Sequence, residues 1–256
     1  GSDTIWNNNC NYQEEPINTV YVGDNRISAR RKIAYSASAV MEVFNQDSPD
    51  VFRRCLKQFS AISVREDILK DYIEPLTDKP IFHTCDPTLL FSGDSWTQIV
   101  DGPLFNGPYG FIYNQQYGPA IFEIAQAMEK KTELPVYVKT GFLNSVLHNS
   151  RGNVVRGDIS PGKWLSLMFY ADNVLSASFH GTAFALNFRK NFFVMHRENG
   201  GSRIDSLLRI AGLSDRRINH SSKMDFAVPI NWSEASLRLG NHIAQSKDYL
   251  IHALDA

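Results

Sequence analysis

The stretch ADNVLSASFHGTAFALNFR, residues 171–189, carries the strongest fold signal in the chain. Its apolar run Val174–Ala177 predicts a strand, and the apolar residues from Ala183 to Phe188 predict a helix. Between them, Ser178–Thr182 (SFHGT) indicates a tight turn. In parallel α/β layers, ligands bind beyond the carboxyl ends of the strands, where helix N-termini bind anions. The stretch therefore predicts an anion-binding, proton-transferring site in a Rossmann-like half.

The side chains of this turn supply the expected chemistry. Gly181 permits close approach of the backbone, and Ser178 and Thr182 offer hydroxyl groups as caps or ligands. His180 can exchange a proton near neutral pH. A histidine in a strand–helix turn that only caps or packs is an equally compatible interpretation.

A second segment, Phe59–Leu69 (FSAISVREDIL), repeats the strand–turn–helix design. Arg65 falls at the carboxyl end of its predicted strand, where a planar guanidinium can bind a carboxylate or phosphate with two hydrogen bonds. The alternative is a weak surface ion pair between Arg65 and Glu66 or Asp67.

Alternation of strands and helices along the whole chain predicts an α/β fold with parallel sheets. We expect three regions: residues 1–86 form the first Rossmann-like half, 87–108 form a turn-rich linker, and 109–256 form the second half with a final helix that crosses back. The predicted strands are Lys32–Ser36, Ala61–Val64, Ile81–Thr84, Phe111–Asn114, Val136–Lys139, Val154–Val155, Asn173–Ala177 and Phe192–Met195. The predicted helices are Pro49–Phe59, Glu66–Tyr72, Pro119–Lys131, Ser160–Tyr170, Thr182–Arg189, Arg203–Ala211 and Ser233–Leu254.

Composition narrows the class of protein. The 256 residues carry a net charge of −1, which gives no general attraction to nucleic acid. Three scattered cysteines, without CxxC spacing, argue against a disulfide framework or a zinc site and predict a cytoplasmic protein. The remaining histidines show no metal-ligand spacing, so we expect no metal site. A serine hydrolase is excluded because no GxSxG elbow is present and Ser178 and His180 share one turn.

Short segments in a fixed order resemble the polysaccharide pyruvyl transferase family. They correspond to its GSDxxWN, YAAS, ISVRE, DPTLL…W, SP..W, AD, SFHG, SLL and GL.DR elements and to its closing helix. In this chain they are Gly1–Asn7, Lys32–Ser38, Ile62–Glu66, Asp86–Leu90 with Trp96, Ser160-Pro161 with Trp164, Ala171-Asp172, Ser178–Gly181, Ser206–Leu208, Gly212–Arg216, and Trp232 with Ser246 and Leu250.

The resemblance implies two Rossmann-like halves in a GT-B-like arrangement. Members of the family normally carry another βα portion before GSDxxWN, so we expect the first half to be truncated at its N-terminus. The alternative is that Gly1-Ser2 is a cloning remnant that coincides with the family element.

The resemblance also implies an activity, which is transfer of a pyruvyl group from phosphoenolpyruvate to a sugar of an exopolysaccharide or its lipid-linked precursor. On this expectation, His180 and Arg65 are catalytic. Arg65, Ser178, Gly181, Thr182 and Lys139 bind the donor, and Asp3 and Trp6 bind the acceptor. No metal or organic cofactor is expected, and the enzyme is expected in the cytoplasm, with peripheral contact at the inner face of the membrane left open.

Alternative roles stay open for the last three residues. Lys139 ends a predicted strand and is also typical of a solvated loop lysine. Asp3 and Trp6 are equally compatible with turn capping and core packing. For the whole chain, the alternatives are a GT-B glycosyltransferase that uses a nucleotide sugar and a noncatalytic sugar-binding or assembly protein.

Overall fold

The computed structural model describes residues 3–7, 19–23, 27–40, 49–114, 120–140, 146–148, 154–155, 159–196 and 201–255. The chain divides into two compact units. The first contains Gly1–Leu90, Glu198–Ala211 and Ser236–Ala256, and the second contains Phe91–Arg197 and Gly212–Ala235.

The described elements alternate between strands and helices, as an α/β fold requires. The strands are β1 (Ile33–Ala37), β2 (Ala61–Val64), β3 (Ile81–His83), β4 (Gly110–Asn114), β5 (Val136–Thr140), β6 (Val146–His148), β7 (Val154–Val155), β8 (Asn173–Ser176), β9 (Asn191–Met195) and β10 (Arg217–Ile218). The helices are α1 (Pro49–Leu56), α2 (Asp67–Ile73), α3 (Gly93–Trp96), α4 (Ala120–Thr132), α5 (Pro161–Tyr170), α6 (Phe179–Asn187), α7 (Gly201–Ala211) and α8 (Trp232–Asp255).

The first unit is built on a parallel sheet with strand order β1-β2-β3. Helix α1 and the turn after it bury Phe52, Cys55, Leu56 and Phe59, a spacing that places them on one face of a helix. These side chains pack with Ile62 of β2 and with other apolar residues in one hydrophobic core. Because the three strands are parallel, their carboxyl ends lie at a single edge of the sheet.

The second unit has the strand order β10-β9-β8-β4-β5-β6-β7. Strands β10, β9, β8, β4 and β5 are parallel, and β6 and β7 are antiparallel additions. From β4 the chain proceeds to β5 on one side, and β8, β9 and β10 build outward on the other. The order therefore reverses between β4 and β8, and such a switch point is where open α/β sheets bind ligands.

Most of the predicted elements are present with ends that differ by one to three residues. Ser160 caps α5, with Pro161 in the first turn, because its hydroxyl accepts from the Lys163 amide at 3.1 Å. Gly212, which follows α7, has a positive φ of 71°, a conformation in which helices commonly end. Strands β6 and β10 were not predicted.

The two compact units divide the chain differently from the predicted halves, whose boundaries stay a prediction. Residues 198–211, predicted in the C-terminal half, belong to the first unit, which α7 joins through ion pairs from Arg203 to Asp3 and from Arg209 to Asp67. The stretch 87–108, predicted as a linker, contains the short helix α3 and is divided between the two units after Leu90.

Among the helices of the described residues, none combines the length and the apolar character that a membrane span needs.

Candidate functional site

The carboxyl edge of the first unit's sheet is organised around Arg65, which follows β2. Its guanidinium donates to the carboxylates of Glu66 at 3.0 Å and Asp86 at 2.7 Å. It also donates to Ser38 Oγ at 2.7 Å and to Asp3 Oδ1 at 3.2 Å. Ser38 follows β1 and Asp86 lies beyond β3, so the cluster connects the ends of all three strands.

The side chains of the Arg65 pairs with Glu66 and Asp86 are almost completely removed from solvent. The side chains of Arg65 and Asp86 are each 1% exposed and that of Glu66 is fully buried. Burial alone would lower the pKa of Arg65, but the charges of Glu66 and Asp86 outweigh it and raise that pKa. A direct donor clamp at Arg65 would require these pairs to be broken, and it stays a prediction.

Glu66 has one oxygen engaged and one without a partner. Its Oε1 accepts from Ser38 Oγ at 2.6 Å and from Arg65, whereas its buried Oε2 has no hydrogen-bond partner among the described residues. Burial raises the pKa of Glu66 against the opposing influence of Arg65. The cluster therefore has a site where a proton can be retained.

The accessible part of the cluster is the carboxylate of Asp3. Asp3 is half exposed and accepts from Arg65 and, at 2.9 Å, from Arg203 Nη1 of α7. Its carboxylate is therefore held from two sides and still faces solvent, a geometry compatible with the predicted contact to a sugar hydroxyl.

Trp6 requires a correction. Its side chain is fully buried, with Phe52 and Phe59 against its rings at centroid distances of 6.1 and 5.9 Å. Its Nε1 donates to the Tyr21 carbonyl oxygen at 2.9 Å. A sugar needs an exposed ring face for stacking, so the structure assigns Trp6 to the core.

In the second unit, the predicted turn Ser178–Thr182 lies at the switch point, directly after β8. It is the first turn of α6, which begins at Phe179, three residues before the predicted start; Ser178 occupies the N-cap position without a side-chain cap bond. His180 and Gly181 are therefore the second and third helical residues. N–H groups in the first turn of a helix have no intrahelical acceptor and point toward anions.

The neutral residues around this turn form a fixed support. Ser176 Oγ accepts from the Ser178 amide at 3.0 Å and lies 3.2 Å from the Ser178 carbonyl oxygen. The buried Thr182 hydroxyl donates to the same carbonyl at 2.9 Å. A Cβ at Gly181 would lie 2.2 Å from Ser176 Oγ and 3.0 Å from Tyr113 Cδ1, so glycine is required here by packing. A donor-binding role for these residues stays a prediction.

His180 and Lys139 lie in the same unit at strand ends. His180 is half-buried, with its ring edge-on to Phe179 at 5.6 Å. Lys139, in β5, directs its Nζ to the Thr140 carbonyl oxygen at 2.7 Å. The ammonium group therefore stays near the carboxyl end of β5, where the predicted contact to phosphate would place it.

A cavity of about 130 Å³ also lies at the carboxyl ends of β4, β8 and β9. Its polar lining consists of Asn114, Ser176 and His196, and Arg217 Nη2 lies 2.7 Å from His196 Nδ1. The cavity is below the size range of small-molecule sites, about 300–1,000 Å³, so it accommodates a single small group.

Several members of these sites were not predicted as site residues. No role was predicted for Arg203, Ser38 or Asp86, and Glu66 was expected only as the partner of Arg65 in a weak surface pair. Asp86 has two contacts: its Oδ1 accepts from the Thr88 amide at 2.9 Å, while its Oδ2 binds Arg65. The available signal was position: each residue except Arg203 lies at or just beyond the carboxyl end of a predicted strand.

Another unpredicted feature is a histidine pair in the first unit. The rings of His83 and His242 are 4.9 Å apart, and His83 Nε2 lies 3.0 Å from the Arg65 carbonyl oxygen. Burial, assisted by the neighbouring His83, lowers the pKa of His242 to about 4. The buried Nε2 of His242 has no hydrogen-bond partner among the described residues.

Most residues of these sites lie within a match to a known protein family. The family model described as polysaccharide pyruvyl transferase matches residues 1–199, which include the Arg65 cluster except Arg203 and the whole α6 turn. The chain belongs to the polysaccharide pyruvyl transferase family. No curated protein and no solved structure matches this family member significantly.

Replacement of Arg65 should strongly lower the stability of this pyruvyl transferase family member. Arg65→Ala leaves Glu66 and Asp86 buried without their partner, so we expect a loss of about 3–5 kcal/mol in the free energy of unfolding. Arg53 is the control: its pair with Asp50 is exposed, and Arg53→Ala should cost below about 1 kcal/mol. Urea unfolding measures both, and equal losses would contradict the structural role of Arg65.

Gly181→Ala should destabilise the second unit by about 1–3 kcal/mol, because the added methyl group overlaps Ser176 Oγ in a packed region. Gly240, in α8, has nothing within 4 Å of its Cβ position, so Gly240→Ala should stabilise its helix by up to about 1 kcal/mol. Thermal unfolding of the two variants should shift in opposite directions. A Gly181→Ala protein as stable as wild type would show that the turn is not tightly packed.

The free energy of unfolding at low pH should depend on His242. Its pKa is about 4 in the folded protein and near 6.5 in unfolded chains. The unfolded state therefore binds more protons between these values, and the free energy of unfolding falls as the pH drops from about 7 to about 4. His242→Phe should remove about 1–2 kcal/mol of that loss after solvent screening is allowed for.

The matched control for this measurement is His252→Gln, at an exposed position of the same helix. Urea titrations at pH 7 and pH 4.5 should give it the same pH-dependent loss as wild type. If His242→Phe also matched wild type, the folded protein would not hold His242 in its neutral form.

Proposed function

We propose that the protein transfers the pyruvyl group of phosphoenolpyruvate to a sugar of a polysaccharide or its lipid-linked precursor and forms a cyclic ketal. The observation that carries this proposal is the family match across residues 1–199, within which the SFHG turn opens a helix at the sheet's switch point. The donor carries a carboxylate and a phosphate, and such a helix N-terminus favours anions.

The proposed reaction balances without an external oxidant or reductant. An acid protonates the methylene carbon of the donor, and a sugar hydroxyl adds to the adjacent carbon and loses its proton. The C–O bond to phosphate then breaks with the electron pair leaving on phosphate. A second hydroxyl of the sugar closes the ring, and its proton is taken up by the released phosphate or by a base.

In this scheme His180 transfers a proton, because imidazole exchanges protons near neutral pH and the residue lies in the first turn of α6. The backbone N–H groups of that turn, the Ser178 hydroxyl and Lys139 bind the donor's anionic groups. Thr182 completes this cradle by holding the Ser178 carbonyl oxygen with its hydroxyl. Gly181 contributes by letting the turn pack against Ser176. The scheme uses no metal or organic cofactor.

The first unit is proposed to serve the acceptor. Asp3 accepts a hydrogen bond from a sugar hydroxyl, and Arg203 and Arg65 hold its carboxylate in place. Arg65 thereby acts as a positioning residue for Asp3. We propose a cytoplasmic enzyme that meets its lipid-linked acceptor at the inner face of the membrane.

The test separates donor binding from chemistry. His180→Ala should lower turnover by about 10²–10⁴-fold, the usual contribution of general acid–base catalysis, while leaving the thermal stabilisation by phosphoenolpyruvate unchanged. Turnover is measured as phosphate release with methyl galactoside, methyl mannoside and N-acetylated hexosides as acceptor probes. His220→Asn is the control, since it keeps the cap of the turn at Ser221–Lys223 and should retain full turnover.

The same measurements discriminate the alternatives. Stabilisation by a nucleotide-diphosphate sugar, and none by phosphoenolpyruvate, would indicate a glycosyltransferase. Stabilisation by phosphoenolpyruvate without turnover on any acceptor probe would favour a noncatalytic binding protein. Full turnover in His180→Ala would remove the proton-transfer role.

A further inference from the structure

A groove of about 1,240 Å³ lies along β3 in the first unit. Helix α2 contributes residues on one side, the last turns of α8 contribute residues on the other, and residues 60–61 and 81–84 lie between them. In the described sheet β3 is an edge strand. The volume exceeds the range of about 300–1,000 Å³ found for small-molecule pockets, so the groove has room for a ligand larger than a typical small molecule.

The groove contains a solvent-exposed aromatic ring. Phe82 is 46% exposed, and its ring contacts that of Tyr249 at a centroid distance of 5.0 Å. Tyr249 is itself buried and donates its hydroxyl to the Ala34 carbonyl oxygen at 2.9 Å. A buried, hydrogen-bonded ring thus supports an exposed one, which offers an apolar face for the C–H side of a sugar ring.

Polar side chains surround this ring. Gln245, Asp248 and His252 are exposed residues of α8 that line the groove at a helical spacing, and α2 adds Lys70 and Asp71. Within the described part of the chain, the side chains of Asp71, Asp248 and Gln245 make no hydrogen bond to protein. Carboxylates accept, an amide donates and accepts, and an ammonium donates, so the set matches hydroxyl groups that do both.

The charges in the groove disfavour an anionic ligand. Three of its charged side chains already have partners: Arg31 Nη1 donates to the Leu254 carbonyl oxygen at 2.8 Å, Asp67 pairs with Arg209 of α7, and Lys70 Nζ lies 3.3 Å from Glu74 Oε1. The carboxylates of Asp71 and Asp248, which line the groove, would repel a polyanion. A polyhydroxylated chain carries no charge and can donate hydroxyl protons to both carboxylates.

We propose that this groove binds a neutral oligosaccharide segment, with Phe82 against one sugar ring and Asp71, Gln245 and Asp248 bonded to hydroxyl groups. The saccharide assignment rests on the chemistry of the groove alone. Its link to the acceptor polymer rests on the proposed function: the groove would hold sugar units of the chain other than the one that reacts.

The experiment uses the full chain without any donor. Cellohexaose, mannohexaose and β-1,4-galactohexaose are titrated separately while saturation-transfer NMR and calorimetry report binding. We expect at least one of them to bind. Phe82→Ala should raise its Kd by 10-fold or more, and Asp248→Asn should raise it by about 3- to 10-fold. Phe82→Leu keeps an apolar side chain but removes the aromatic face, so it should also weaken binding and covers the case in which the alanine variant misfolds.

Two control variants match these substitutions outside the groove. Phe91 is 61% exposed in the second unit, and Asp255 is an exposed carboxylate at the end of α8. Phe91→Ala and Asp255→Asn should bind the hexasaccharide like wild type.

Failure of all three hexasaccharides to bind would overturn the proposal, as would undiminished binding in both Phe82 variants. Binding of an extended peptide along β3, without any hexasaccharide binding, would assign the groove to strand addition and overturn it as well. Stabilisation by phosphoenolpyruvate is measured separately. Its loss would refute the proposed donor, whereas loss of hexasaccharide binding with that stabilisation intact would refute only the groove.

Discussion

The buried guanidinium of Arg65 is the constraint on which the first unit depends. A charge removed from water is tolerated only when it is paired and its hydrogen bonds are satisfied. The partners of Arg65 come from the ends of β1, β2 and β3 and from the turn that holds Asp3. The strand ends can therefore not shift independently, and the carboxyl edge of the sheet is fixed before any ligand arrives.

The second unit reaches a fixed strand–helix turn by different means. Ser176 Oγ contacts both the amide and the carbonyl oxygen of Ser178, and Gly181 allows the helix to pack directly against that hydroxyl. These contacts involve neutral groups, so they add no charge that would cancel the partial positive charge at the N-terminus of α6. The packing of the turn is therefore compatible with the proposed anionic donor.

Local signals explain which structural predictions succeeded. Apolar periodicity, the Ser160-Pro161 start and the Gly212 stop depend on neighbouring residues, and the elements that they mark are present. Strand β10 consists of Arg217 and Ile218, with one apolar residue, whereas the equally short β7 was marked by two adjacent valines. The start of α6 was placed late because Phe179–Gly181 contains glycine and histidine, which resemble a turn until packing against Ser176 is known.

Long-range contacts explain what the sequence left out of the site. Arg65 as an anion ligand and Arg65 as the centre of an ion-pair cluster have the same local sequence. Only the fold brings Asp3 and Asp86 to it and adds Arg203 from α7. The enclosure of Trp6 by Phe52 and Phe59, and the meeting of His83 with His242, depend on the same kind of contact.

The family elements acquire a physical meaning from this assembly. Asp3, Ser38, Arg65, Glu66 and Asp86 come from four separate short segments, GSDTIWN, KIAYSAS, ISVRE and DPTLL, and meet in one cluster. Since each segment supplies one part of a single ion-pair network, their order and spacing together identify the family more securely than any one of them. The network specifies how a strand edge is held, and of its members only Asp3 is proposed to contact a sugar. Under the proposed function, acceptor choice would therefore depend mainly on surfaces outside these elements, and the proposed groove beside Phe82 is such a surface.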